Sequence, residues 1–84
     1  MDLTGIIEID VHGMRTEEAL DAIQKKVNTA GGHVYRIRVI HGFHGGTRIK
    51  TGIREEFGYG REPKIRRIVT GTNEGITELI LREY

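Results

Sequence analysis

The chain is 84 residues long, carries a net charge of +1 at neutral pH and contains no cysteine. That length holds a single domain over residues 1–84, with a core that removes about 60 to 65% of the unfolded surface from water, and the lack of thiols excludes disulfides, cysteine nucleophiles and thiolate zinc sites. No window approaches the roughly 18 apolar residues of a membrane span, and the opening MDLTGIIEID lacks the basic-then-apolar order of a secretion signal, so the expectation is a cytoplasmic monomer with no membrane contact.

Residues 6–11 alternate, with Ile7, Ile9 and Val11 on one side and Glu8, Asp10 and His12 on the other, which is the period of a half-buried strand. Thr16 reads as a helix N-cap, Glu17 and Glu18 complement the helix dipole, and Leu20, Ile23 and Val27 follow at helical spacing until Gly31-Gly32. Residues 34–40 return to strand character, with Tyr35, Ile37 and Val39 facing one way and Arg36 and Arg38 the other. Beyond the run HGFHGG, Ile49, Ile53 and Phe57 mark an apolar stripe on a helix over 47–57, which Gly52 weakens by roughly 1 kcal/mol relative to alanine. The loop GYGREP ends it, residues 65–69 form a third strand, TGTNEG turns the chain, and residues 76–81 form a fourth strand.

The order β-α-β-α-β-β has a geometric consequence. A β-α-β crossover makes its strands parallel, so the His12-Gly13 and His41-Gly42 junctions share one edge, where strand carboxyl ends meet helix amino ends and where open α/β sheets bind ligands. There Gly42, Gly45 and Gly46 allow close backbone approach to an anion or positive φ, with His41, His44 and Lys50 as donors around it. Charge is uneven as well. Residues 33–70 hold nine basic side chains against three acidic ones, which suits a polyanion met on one side, although solvated strand and helix faces give the same composition.

Asp10-Val11-His12-Gly13, Glu18-Ala19 opening a helix, His41-Gly42 with Gly46 beyond, and Gly75-x-Thr77 before the last strand together resemble the Smr (small MutS-related) domain over essentially the whole chain. His44 stands where that family's second signature usually has glycine, and one extra loop residue makes Ile49-Lys50 the counterpart of its Leu-Arg. The resemblance implies a stand-alone two-layer α/β sandwich, similar to the C-terminal domain of translation initiation factor 3, with a four-stranded mixed sheet and two helices on one face. It also implies DNA or RNA binding, with nicking endonuclease activity in some members and binding modules of RNA- or ribosome-associated proteins among others.

Each site residue has two readings. Asp10 and His12 project together and suit acid-base or ligand chemistry; alternatively Asp10 pairs with Arg38 or Arg36 and His12 caps the turn. His41, the third expected catalytic group, either donates to phosphate or bonds the loop backbone. His12, His41 and His44 lack the short spacing of a zinc site, so no tightly bound metal is expected, while a weakly held Mg²⁺ or Mn²⁺ at Asp10 fits the chemistry. Arg36, Arg38, Arg48, Arg54, Arg66 and Arg67 are the expected nucleic-acid contacts, on a basic side formed by the second strand and second helix. Phe43 and Tyr59 are the aromatics expected near the His-Gly edge, either to stack on unpaired bases or to cover a helix end. Two other classes remain open on the residues alone: a small phosphate or nucleotide pocket at the same edge, and a module that docks on a repair or ribosomal protein.

Overall fold

The computed structural model describes residues 5–43 and 47–83. Its elements follow the expected order: β1 (Ile6–Asp10), α1 (Thr16–Thr29), β2 (Arg36–Ile40), α2 (Thr47–Phe57), β3 (Arg67–Thr70) and β4 (Ile76–Ile80). The four strands form one mixed sheet of spatial order β1-β2-β4-β3. β1 and β2 are parallel, and β4 runs antiparallel to both of its neighbours, β2 and β3. The second crossover therefore steps over one strand position, and β4 fills the gap it leaves.

Alternation sorts the sheet into two faces. Ile37 stands opposite Ile7 and Leu79, and Val39 opposite Ile9 and Thr77; the apolar ones among them meet Ala19, Ile23 and Val27 of α1 and Ile49, Ile53 and Phe57 of α2 in one core. Both helices thus cover a single face. On the other face Glu8, Arg38 and Glu78 lie side by side in register. Arg36 Nη1 donates to Glu78 Oε1 at 2.5 Å, Arg38 Nε to Glu78 Oε2 at 3.3 Å, and Arg38 Nη1 to Glu8 Oε2 at 3.2 Å. The Glu78 side chain is 5% exposed, and arginine stems cover the apolar part of this face while keeping their heads partly wet.

Some boundaries move. β1, β2 and β4 lose a terminal residue or two relative to the sequence reading, and β3 starts two residues later, at Arg67. Thr16 is the first helical residue of α1 rather than its cap; Arg15 takes the cap position in an extended conformation, and its N–H donates to Glu18 Oε1 at 3.3 Å. Glu18 thereby satisfies a donor that a Thr16 cap would leave to water.

Gly52 has a packing reason. A Cβ built there would lie 3.1 Å from Thr16 Cγ2 and 3.3 Å from Leu20 Cδ1, so the missing side chain is what lets α2 approach α1. We expect Gly52→Ala to change stability by less than about 1 kcal/mol, the gain in helix propensity being offset by crowding. Gly52→Leu, by contrast, should destabilise by about 1–3 kcal/mol and lower the thermal midpoint by roughly 5–20 °C, both read by calorimetry.

Candidate functional site

Both His-Gly junctions do reach one edge of the sheet. Beyond β1 the ladder continues, Val11 N–H donating to the Ile40 carbonyl at 2.9 Å, and Gly13 turns the chain away at φ 78°. Beyond β2, the His41 and Gly42 N–H groups both donate to the Gly75 carbonyl at 2.9 Å, and Gly42 has φ 82°. A Cβ on Gly42 would lie 3.7 Å from His12 Cβ, and one on Gly75 would lie 3.3 Å from the Gly42 backbone. Three turns therefore converge so closely that a β-carbon on either glycine would touch its neighbour, with His12 on one side and the turn before β4 on the other.

The two histidines that follow the same His-Gly grammar have opposite surroundings. His12 is 70% exposed and Asp10 51% exposed. His12 Nδ1–H donates to Asp10 Oδ1 at 2.5 Å, and the His12 N–H donates to the same oxygen at 3.1 Å. The side-chain bond is the larger influence and the backbone bond the second, and together they hold the Asp10 carboxyl below the usual aspartate range against the opposing effect of desolvation. With Nδ1 engaged, the neutral imidazole presents Nε2 as an acceptor at the surface.

His41 is 1% exposed. Its Nδ1 lies 3.0 Å from the Gly42 carbonyl oxygen, which only accepts, so Nδ1–H donates there; in the neutral ring Nε2 then accepts from the Thr77 hydroxyl at 2.8 Å. Of the two readings open for His41, the hydrogen bond to the loop backbone is the one seen, and the buried ring joins the Gly42 turn to β4. The reason is register: His12 continues the Glu8–Asp10 face, whereas His41 continues the Ile37–Val39 face that enters the core. That parity was legible in the alternation, and it separates the two junctions that the repeated motif makes look alike.

Other expected contacts are redistributed. Asp10 stands opposite Ile40 and pairs with neither Arg38 nor Arg36, because register gives Arg38 to Glu8. Arg36 and Arg38 lie on the open sheet face, whereas Arg48, Lys50 and Arg54 ride on α2 across the sheet from them, so strand two and helix two do not share one basic side. Arg67 pairs with Glu83. Arg66, whose N–H donates to the Ile80 carbonyl at 2.7 Å, lies at the far end of the sheet from His12. The Gly42 amide is used by Gly75, which removes it as an anion donor. His44, Gly45 and Gly46 lie outside the described residues. Phe43 is exposed beside Gly42, but Tyr59 lies beyond the carboxyl end of α2, away from the His-Gly edge.

Sequence reasoning did not single out Asn73. Its Oδ1 accepts the Gly75 N–H at 2.8 Å, bending the 71–75 turn so that Gly75 can bind β2. The Asn-x-Gly spacing inside a loop was the available signal. Thr77, known beforehand only through the resemblance, acquires its physical role as the partner of His41.

A mixed sheet with one inserted antiparallel strand, two helices on one face, and a carboxylate–imidazole pair beside converging glycine turns define a two-layer α/β sandwich with its candidate site at the strand carboxyl edge. The fold is that of an Smr domain. The crystal structure of the Smr domain of Thermus thermophilus MutS2 matches with a TM-score of 0.77 and 23% identity, covering 90% of this chain and 98% of that one. No protein-family model and no curated protein matches the chain.

Two outcomes follow from this geometry. Thr77→Val removes the partner of a buried ring nitrogen and should cost about 1–3 kcal/mol, measured by denaturant unfolding. The Asp10 carboxyl should titrate below an ordinary aspartate by NMR and return toward it in His12→Ala. Because its folded value is depressed, its contribution to stability is present above the unfolded aspartate range and fades as pH falls through the folded value.

Proposed function

We propose that this chain is a nucleic-acid-binding domain that hydrolyses phosphodiester bonds, leaving nicks, at the edge where Asp10 and His12 meet. The observation that carries the reading is the Asp10–His12 pair itself. It is a carboxylate that orients an exposed imidazole through Nδ1, beside glycine turns and the amino end of α2. In that arrangement His12 Nε2 takes a proton from water as the water oxygen bonds to phosphorus. The bond from phosphorus to the leaving sugar oxygen breaks, and that oxygen is protonated from solvent. Asp10 stabilises the imidazolium that forms.

Charge growing on the non-bridging oxygens calls for donors. The first-turn amides of α2 have no partner within the helix, and Lys50 in that turn adds a cation. Among the described residues no group of three His, Asp or Glu could hold a metal, and Glu8 is committed to Arg38. A Mg²⁺ or Mn²⁺ ion arriving with substrate phosphate would be held by Asp10 and would supply charge neutralisation at the phosphate oxygens.

A non-catalytic binder is the second reading. It is favoured by the burial of His41, which leaves one exposed acid-base pair where the sequence suggested three groups. Cleavage of supercoiled plasmid and structured RNA, with and without Mg²⁺ or Mn²⁺, separates the two. Wild type should nick, and Asp10→Ala and His12→Ala should be slower by about 100-fold or more. If wild type cleaves nothing, or if both variants match it, hydrolysis is wrong and the binder remains.

A further inference from the structure

At the end of the molecule opposite Asp10 and His12, a cleft of about 360 Å³ opens between the carboxyl end of α2 and β3, lined by Arg54, Phe57, Tyr59, Arg66, Arg67 and Ile68 among others. That volume is near the lower end of the range of about 300–1,000 Å³ that holds small ligands. Arg67 is neutralised by Glu83, but Arg54 and Arg66 have no acidic partner within salt-bridge distance among the described residues. The rim of the cleft carries Tyr59, which is 88% exposed.

A large aromatic ring left in water on a tight loop calls for an explanation, and its surroundings supply one. Tyr59 has φ 58° between Gly58 and Gly60, a conformation disfavoured for a bulky side chain. The Arg61 guanidinium lies 6.0 Å from the ring centroid, backing one face, and Arg61 Nη1 also donates to the Glu55 carbonyl. The loop is tied to α1 by Gln24 Nε2, which donates to Glu62 Oε1 at 2.8 Å. The Gln24 bond, then the Lys64 amide, hold the Glu62 carboxyl below its usual range. The ring is thus preorganised, with a cation on one side.

The path from this cleft to the candidate site is also basic. Gly52 marks the flank of α2 that meets α1. Lys50 and Arg54, four residues apart, share a stripe on a different flank. Arg54 lines the cleft, and Lys50 lies one turn nearer the amino end, toward the His-Gly edge. Along the 11 residues of α2 the distance is about 16 Å at about 1.5 Å per residue. A stacked strand with one phosphate per roughly 3.4 Å covers it with about five nucleotides.

We propose that Tyr59, backed by Arg61 and flanked by Arg54 and Arg66, is a base-stacking platform for single-stranded nucleic acid, from which the strand runs along Lys50 and Arg54 of α2 toward Asp10 and His12. The inference rests on the reading of the chain as a nucleic-acid binder and gives that reading a substrate class: a strand with unpaired bases. Stacking needs a free base face, which a paired duplex does not offer, and is tolerant of sequence because every base has one.

The test is fluorescence anisotropy with labelled oligo-dT and oligo-U of two to twelve nucleotides and with a blunt duplex of the same sequence, on wild type, Tyr59→Ala, Tyr59→Phe and Arg66→Ala. Affinity for single strands should rise with length to about five nucleotides and level off. Tyr59→Ala should weaken single-strand binding by roughly 5- to 150-fold while leaving duplex binding within about twofold, and Tyr59→Phe should bind as wild type. Arg66→Ala should reduce the salt slope by about 0.7. Wild type that binds single strands with Tyr59→Ala equal to it, or an equal loss on duplex, overturns the platform and leaves nucleic-acid binding standing. Wild type that binds neither form at low salt overturns both. Tyr59 is a surface residue, so circular dichroism of the variant should match wild type and keep the comparison one of binding.

Discussion

Strand β4 is buried on both faces, and the arrangement of the rest follows from what that burial demands. Glu78 places a carboxylate among arginines on one side of the sheet, while Thr77 and Leu79 enter the helix-covered core on the other. A buried carboxylate costs several kcal/mol unless it is paired, and Arg36 and Arg38 meet that requirement in one register only. A slip by one residue would send Glu78 into the apolar core and take Thr77 off His41. Charge on one face and packing on the other therefore select the same alignment of β2 with β4.

That alignment carries through to the edge of the sheet. Once β4 is in register, Gly75 receives the His41 and Gly42 amides, and the Gly42 turn is brought against His12. The two His-Gly junctions then diverge because of where their strands lie. β2 is central, with a neighbour on each side, so the histidine that follows it on the helix-facing side is enclosed. β1 is an edge strand, so the histidine that follows it on the open side remains in water with Asp10. A repeated sequence element thus yields one buried, hydrogen-bonded histidine and one exposed carboxylate–imidazole pair.

The basic stretch between residues 33 and 70 is divided by the same topology. Arg36 and Arg38 neutralise Glu78 and Glu8 within the sheet, and Arg67 meets Glu83. Arg54 and Arg66 keep their charge free of acidic partners among the described residues. What the linear sequence presents as one block of positive charge becomes an internal ion-pair ladder on one face and a narrower basic strip along α2 on the other.

Periods of two and 3.6 were legible in the sequence because they depend on neighbours a few residues apart: the order of the six elements, the core stripe Ile49–Ile53–Phe57, the alternation of β1 and β2, and the shared edge of the two His-Gly turns all follow from them. The pairing of Asp10 with His12 was legible for the same reason, since residues two apart on a strand share a face. Strand order, by contrast, sets contacts between residues some forty positions apart, and no local pattern states that β4 lies between β2 and β3. The burial of His41 against Thr77, the capture of Arg36 and Arg38 by Glu78 and the use of the Gly42 amide by Gly75 all depend on that insertion. The sequence by itself determined which side chains the edge has to offer; the tertiary structure decided which of them reach solvent, because exposure is set by the neighbours that long-range pairing brings together.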